Sequence, residues 1–357
     1  MFPHSVYKHW LAPPGCCSYE VPSYFSFRRD LLTPIVFSIG PIHHGKKELA
    51  LMEDRKKIYY EKFCSRIPKE YLEKFKSILQ YQEICIHATY CYKNGICPLQ
   101  LDELRSIVLF DSIFIIELFL SYHEKENDGF LNETMEKNVI IKRDLLLLEN
   151  QVPYHILNQL YRLLLGITRY QEYPSLLVLS CKFFDLRIPV QELCPRRVEH
   201  FTDLARSSLM GVFSSDPLDL LKSSGEFLSL PTAMELKKLG VVRFEPIEGG
   251  YIADMKCTSR WFIVKLIKLQ IPHIEVNLLS ECMFQNVSAF ELCAYNPEYS
   301  HVSNFLYLMS CLVTDEEDLN LLVTNKKMFQ SVTEGRIGLP DRDIFGVCET
   351  LRSLVNY

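Results

Sequence analysis

His43 and His44 stand side by side in Ser38-Ile39-Gly40-Pro41-Ile42-His43-His44-Gly45, and histidine is the residue type that most readily binds zinc or moves a proton at neutral pH. Zinc would need further ligands at close spacing, such as C-x-x-C or H-x3-H. Adjacent residues point apart, and Cys16 and Cys17 are the only sulfur donors nearby in sequence. A structural loop fits these residues better: Gly40 and Gly45 supply unusual backbone angles and a histidine caps the helix that follows. Cys85, Cys91 and Cys97, with His87 among them, are six residues apart. That is no finger spacing, and on a helix it leaves neighbours about 120° apart, so these read as incidental or core thiols.

Acidic residues inside apolar runs carry more weight, because a buried carboxylate must be paired or hydrogen-bonded. Asp111 and Glu117 lie in one such run; Asp144 and Glu149, followed by Asn150, Gln151 and Pro153, lie in another. General acid/base or glycosidase-type chemistry needs two carboxylates converging on one cleft. On an ideal helix the first pair diverges by about 120° and the second by about 140°, so any convergence would have to be between helices. Buried networks with Lys142, Arg143 or Arg105, or helix caps, are the expected role. No nucleophile elbow, phosphate-cradling loop, dinucleotide fingerprint or H-E-x-x-H motif occurs. The sequence therefore nominates no catalytic residue, no cofactor and no metal.

The elements that must position these residues are mainly helical. Amphipathic spacing predicts a helix from Glu48 to Phe63, and Pro68 opens a second through Leu79. Leu101 to Tyr122 is apolar on most sides, so as a helix it is central and buried. The polar stretch from His123 to Lys137 reads as a surface loop, Asp144 to Asn150 as a short helix ended by Pro153, and Tyr154 to Leu165 as the next. Residues 166 to 228 read as a looser connection broken by at least one helix around Val198 to Met210.

Pro231 to Gly240 has the Pro-first, Gly-last signature of a helix. Val241 to Phe244, Tyr251 to Cys257 and Trp261 to Ile271, with a turn at Glu248-Gly249-Gly250, predict a small antiparallel sheet. Helices follow at Val276 to Tyr295, Val302 to Val313, Asp315 to Thr324, the latter with Thr314 and Glu317 as a capping box, and Asp341 to Val355. The fold class expected is a mainly α, multi-helix bundle-like body with a small antiparallel β-sheet in the C-terminal half. One unit over 1–357 is expected, comprising a helical N-terminal stretch (1–165), the connection (166–228) and a C-terminal stretch (229–357) of helices plus sheet.

Composition bounds the rest. In 357 residues, 48% are hydrophobic and 23% charged, the balance of a folded soluble chain. Lys plus Arg at 39 against Asp plus Glu at 44 gives a net charge of -5, without the basic surplus that nucleic-acid binding demands. Thirteen scattered cysteines and no secretory signal predict reduced, buried thiols and a cytoplasmic location for the chain as given. Neither Ile107 to Leu120 nor Trp261 to Ile271 is apolar and long enough to span a bilayer.

In order, the same segments resemble the plant family known as domain of unknown function 247. Cys17-Ser18-Tyr19-Glu20-Val21-Pro22 is similar to its opening element, and Ser38 to Gly45 to its S-I-G-P-x-H-H-G signature. Met52-Glu53 with Lys57 to Tyr60 is similar to M-E-x-x-K-x-x-Y. Asp111 to Leu118 is similar to D-G-x-F-I-I-E-L, with Ser112 in place of Gly. Asp144 to Pro153 is similar to D-L-L-L-L-E-N-Q-x-P, the most specific of the set. His200 to Leu209, Pro231 to Val241, Leu269 to Ile274, and Glu281, Asn286 and Ala289-Phe290-Glu291 continue the likeness.

The resemblance implies structural roles for Cys17, Gly40, Pro41, His43, His44, Gly45, Asp111, Glu117, Asp144, Glu149, Asn150, Gln151 and Pro153. It implies no established catalysis; some grass members are implicated in self-incompatibility, a recognition role. An unidentified protein partner is expected, with a hydrolase-like enzyme using His43 or His44 beside the carboxylates as the alternative. Family members usually carry a C-terminal membrane span, whereas this sequence stops at Tyr357. A tail-less member and a chain lacking its span are the two expectations, and membrane contact is expected only through that span.

Overall fold

The computed structural model describes residues 16–22, 28–91, 98–124, 135–187, 198–211, 231–240, 242–247, 250–261, 265–295, 299–323 and 329–331. Two compact units divide the chain. An N-terminal unit comprises Ala12–Pro22 and Arg28–Ala205, and a C-terminal unit Met1–Leu11, Ser23–Phe27 and Arg206–Tyr357.

In the N-terminal unit, α1 (Ala50–Arg66), α2 (Lys69–Ala88) and α3 (Leu101–Glu124) are the long helices. Pro68 precedes α2 with extended backbone, as expected of a residue that cannot donate to the helix ladder. Every residue of α3 from Asp111 to Ser121 is buried, so α3 is the core element its composition predicted. Phe37 and Tyr59 meet Phe114 edge-on at 5.3 and 5.1 Å, and Phe119 packs on Phe183 at 4.8 Å and Phe201 at 5.7 Å. α4 (Met135–Leu146), α5 (Tyr154–Leu165), α6 (Leu176–Phe183) and α7 (Phe201–Met210) complete the helices, and β1 (Ser18–Tyr19) pairs in parallel with β2 (Tyr90–Cys91).

One reading of this region is corrected. The expected helix Asp144 to Asn150 is instead the end of α4 at Leu146, followed by a turn. Side chains take the carbonyls that a longer helix would have bonded: Asn150 Nδ2 donates to Asp144 O at 2.8 Å, and Gln151 Nε2 to Leu145 O and Leu147 O at 2.7 Å each, which satisfies the orphan groups of a helix end. The loose connection contains α6, started by Ser175, whose Oγ accepts from Val178 N.

In the C-terminal unit, Thr232 and Glu235 form a capping box at α8 (Ala233–Lys238), and Gly240 at φ +66° follows it. β3 (Val242–Ile247), β4 (Lys256–Trp261) and β5 (Lys265–Pro272) are ordered β3-β5-β4. The sheet is mixed, not wholly antiparallel: β4 pairs with β5 antiparallel, but β3 pairs with β5 in parallel. The hairpin is β4–β5; the chain after β3 passes through the 3-10 turn Ile252–Asp254 and does not fold back onto β3.

Next come β6 (Ile274–Val276), α9 (Leu278–Ala294), α10 (His301–Leu312) and α11 (Glu316–Val323), and β6 pairs with β7 (Phe329–Ser331). At α11 the residue that reaches back to Thr314 is Asp318 rather than Glu317, accepting from its amide at 3.0 Å and its hydroxyl at 2.9 Å. The expected turn residues Glu248 and Gly249 and the expected helix Asp341 to Val355 lie outside the described residues. Cys16, Cys17, Cys181, Cys282 and Cys293 are buried. No helix among the described residues is long and apolar enough to cross a membrane.

Candidate functional site

The turn after α4 and the segments 17–22 and 28–45 form one polar cluster inside the N-terminal unit. Asp144, at the end of α4, accepts from the amides of Ile35 at 2.9 Å, Val36 at 2.6 Å and Phe37 at 3.3 Å, and from Arg143 Nη1 at 2.6 Å. Burial pushes its pKa up, against the pull of Arg143 and those amides. Asn150 Oδ1 accepts from Ile39 N at 2.6 Å while its Nδ2 donates to Phe37 O at 3.2 Å. Gln151 Oε1 accepts from Phe201 N at 3.0 Å. Arg143 donates to the carbonyls of Asp30 and Thr33. Together these side chains stand where neighbouring strands would otherwise satisfy the backbone of an irregular segment.

Glu149 closes the other end. Its Oε1 accepts from Val21 N at 2.8 Å and from Arg29 Nη1 at 3.1 Å. His43 Nε2 lies 3.2 Å from Glu149 Oε2, outside hydrogen-bond geometry, and His43 Nδ1 has no hydrogen-bond partner among the described residues. His43 is 3% exposed, whereas His44 is exposed, so the two histidines do not act together.

Gly40 at φ +71° lets the chain pass against the Gln151 carbonyl, and Pro41 beside it is buried. Gly45 also has positive φ, in open space. Pro153 precedes α5 at its N-cap position. Cys17 is buried, with its amide donating to Thr89 O at 2.7 Å and its thiol pushed up to about 12 by burial. It is a packed thiol, not a nucleophile.

Asp111 and Glu117 on α3 take separate partners. Asp111 Oδ2 accepts from Gly40 N at 2.7 Å, and its Oδ1 lies 2.6 Å from Lys56 Nζ, which also donates to the Ser38 carbonyl and reaches Glu53 at 2.9 Å. Burial alone would lower the Lys56 pKa, but the Asp111 and Glu53 carboxylates more than offset it and raise it. Glu117 meets Lys62 and Arg66, both at 3.1 Å. The four carboxylates thus face cations and backbone amides of their own rather than one cleft. Of the expected cationic partners Arg143 joins this network, while Lys142 pairs with Asp185 and Arg105 with Asp102. Among the described residues no three of His, Cys, Asp and Glu gather as a metal site. The side chains of Cys85, Cys91 and Cys97 lie outside the described residues.

A sequence model of the family DUF247, described as plant protein of unknown function, matches residues 19–335. The chain belongs to this family. Within the family's curated members, UPF0481 protein At3g47200 of Arabidopsis thaliana is 23% identical over 348 residues, covering 89% of this chain and 69% of the relative. Putative UPF0481 protein At3g02645 of the same plant is 24% identical over 386 residues, covering 82% and 70%. No solved structure matches the chain.

Two residue pairs of this DUF247 signature were missed or misplaced from sequence. The buried pair on α1 is Lys56 and Tyr59, not Lys57 and Tyr60; Lys57 is exposed and pairs with Asp54. The M-E-x-x-K-x-x-Y spacing counted from Met52 marks them directly. In the C-terminal unit, Arg206 and Glu291 form a second buried pair at 2.7 Å. Glu291 also accepts from the amides of Val302 at 3.2 Å and Ser303 at 2.8 Å, while Arg206 donates to Tyr299 O at 2.8 Å and lies over the Tyr295 ring at 4.3 Å. The basic and acidic ends of two motif segments, each polar within an apolar run, were the available signal.

Proposed function

We propose that this DUF247 protein works by recognition, as a non-enzymatic recognition or scaffold protein that engages a protein partner, a role in keeping with relatives implicated in self-incompatibility. The observation that supports it is the inward direction of the signature: Asp144, Glu149, Asn150 and Gln151 are all buried and spend their hydrogen-bonding capacity on the chain's own backbone and on Arg29, Arg143 and Phe201. Motif residues so used hold a scaffold and leave partner choice to the surface. The net charge of -5 favours protein over nucleic acid as partner, and the buried thiols favour a reducing, cytoplasmic setting. Proximity labelling in the tissue that expresses the gene tests the reading. Reproducible enrichment of a protein over an unrelated folded control is expected, and no enrichment at all would sink it.

The hydrolase-like reading has one observation in its favour, the 3.2 Å approach of His43 to Glu149. A general base must reach substrate, and His43 is buried. Turnover of an ester or glycoside panel that His43→Asn abolishes while melting is unchanged would favour this second reading.

A further inference from the structure

The solvent face of the β3-β5-β4 sheet carries an arrangement that folding alone does not account for. The register sets Thr258, Lys268 and Arg243 in one row across the three strands, and Lys256, Gln270 and Glu245 in the next. Lys256, Thr258 and Arg243 are exposed, and Lys268, Gln270 and Glu245 half-buried. On the other face Phe244 and Ile271 are buried in the C-terminal unit. Lys268 and Arg243 are therefore cross-strand neighbours of like charge, a pairing that destabilises a sheet.

Glu245 offsets it in part, lying 2.5 Å from Lys268 and 3.3 Å from Arg243. One carboxylate is shared by two cations, and Lys256 makes no ion pair among the described residues. Three positive charges and one negative leave these six residues at +2, on a chain whose total is -5.

We propose that this face is a docking platform for an acidic segment of a partner protein. The inference rests on the recognition reading above and names the partner's chemistry. Side-chain carboxylates spaced along an extended peptide complement Lys256, Lys268 and Arg243, and Thr258 and Gln270 supply neutral hydrogen-bonding groups between them. A membrane surface is the poorer match, because the six residues include no aromatic or large apolar side chain to enter an interface. A nucleic acid is poorer still, with no aromatic base-stacking residue among the six.

The test titrates fluorescein-labelled decaglutamate into the full chain and reads anisotropy at low and at high ionic strength. Saturable binding that weakens with salt is expected, with affinity at least about tenfold lower for Arg243→Glu/Lys256→Glu/Lys268→Glu. Lys256→Gln, which disturbs no ion pair among the described residues, keeps the result independent of misfolding: it is expected to weaken binding several-fold with an unchanged melting temperature. Absence of decaglutamate binding at low ionic strength would overturn the proposal, as would unchanged affinity in both variants. So would binding to phosphatidylserine vesicles with none to decaglutamate. Partners captured equally by wild type and triple variant would overturn this platform while leaving the recognition reading standing.

Discussion

Gly40 and Gln151 meet backbone to backbone: a Cβ built on Gly40 would stand 2.4 Å from the Gln151 carbonyl oxygen. This approach is where the segment 28–45 and the turn after α4 lock together. Gly40 also has φ +71°, a region that costs other residues about 1–2 kcal/mol. Gly40→Ala adds a clash against rigid backbone to that strain and is expected to lower stability by more than about 2 kcal/mol. Gly45→Ala, with similar φ but nothing within 4 Å, should lose only the conformational part. Urea melts of both variants check this, and equal losses would refute the close approach.

Removing Glu149 leaves Val21 N and Arg29 without their buried acceptor. Breaking a buried charged network by taking out one partner typically costs about 3–5 kcal/mol, and because Arg29 is partly exposed that range is an upper end. Glu149→Ala is expected to melt well below wild type. If it melts like wild type, Glu149 does not hold the fold.

Ser112 stands where the family motif usually has Gly, and its Oγ is buried on α3 with no hydrogen-bond partner among the described residues. An unsatisfied buried hydroxyl costs about 1–3 kcal/mol. Ser112→Ala keeps nearly the same volume and removes that group, so stability should rise by about 1 kcal/mol in denaturant titration. A loss of stability would mean the hydroxyl is satisfied.

Asp318 titrates in a direction that can be followed. Burial pushes its pKa up, but the Met234 and Thr314 amides and the Thr232 and Thr314 hydroxyls more than offset this and hold it below the ordinary 3.8. A native pKa below the unfolded one stabilises the fold fully above the unfolded value, and the gain is lost as pH falls through the native value. The stability gap between wild type and Asp318→Asn should therefore be constant above the ordinary aspartate range and shrink on further acidification. Calorimetry across that range checks it, and a gap that widens in acid would reverse the sign.

The helices were legible because their signal is local. The 3.6-residue spacing of α1, the all-round apolarity of α3 and the Pro-first, Gly-last frame of α8 each state a conformation that packing then kept. Where the reading failed, a distant group intervened. Asp144 to Asn150 looks helical, yet α4 ends at Leu146 because the Asn150 and Gln151 side chains claim its last carbonyls while facing Ile39 and Phe201. The parallel pairing of β3 with β5 was likewise invisible, since strand propensity carries no information about which neighbour a strand joins.

That the chain is mainly helical, mildly acidic and a DUF247 protein is legible residue by residue, because composition, periodicity and ordered motifs are all written along one dimension. Which groups the motif residues meet is set by the folded chain. Val21 and Glu149, 128 residues apart, meet at 2.8 Å, and Arg206 and Glu291, 85 apart, at 2.7 Å. A buried carboxylate is tolerable only beside donors, and which donors those are is settled by where remote segments come to rest.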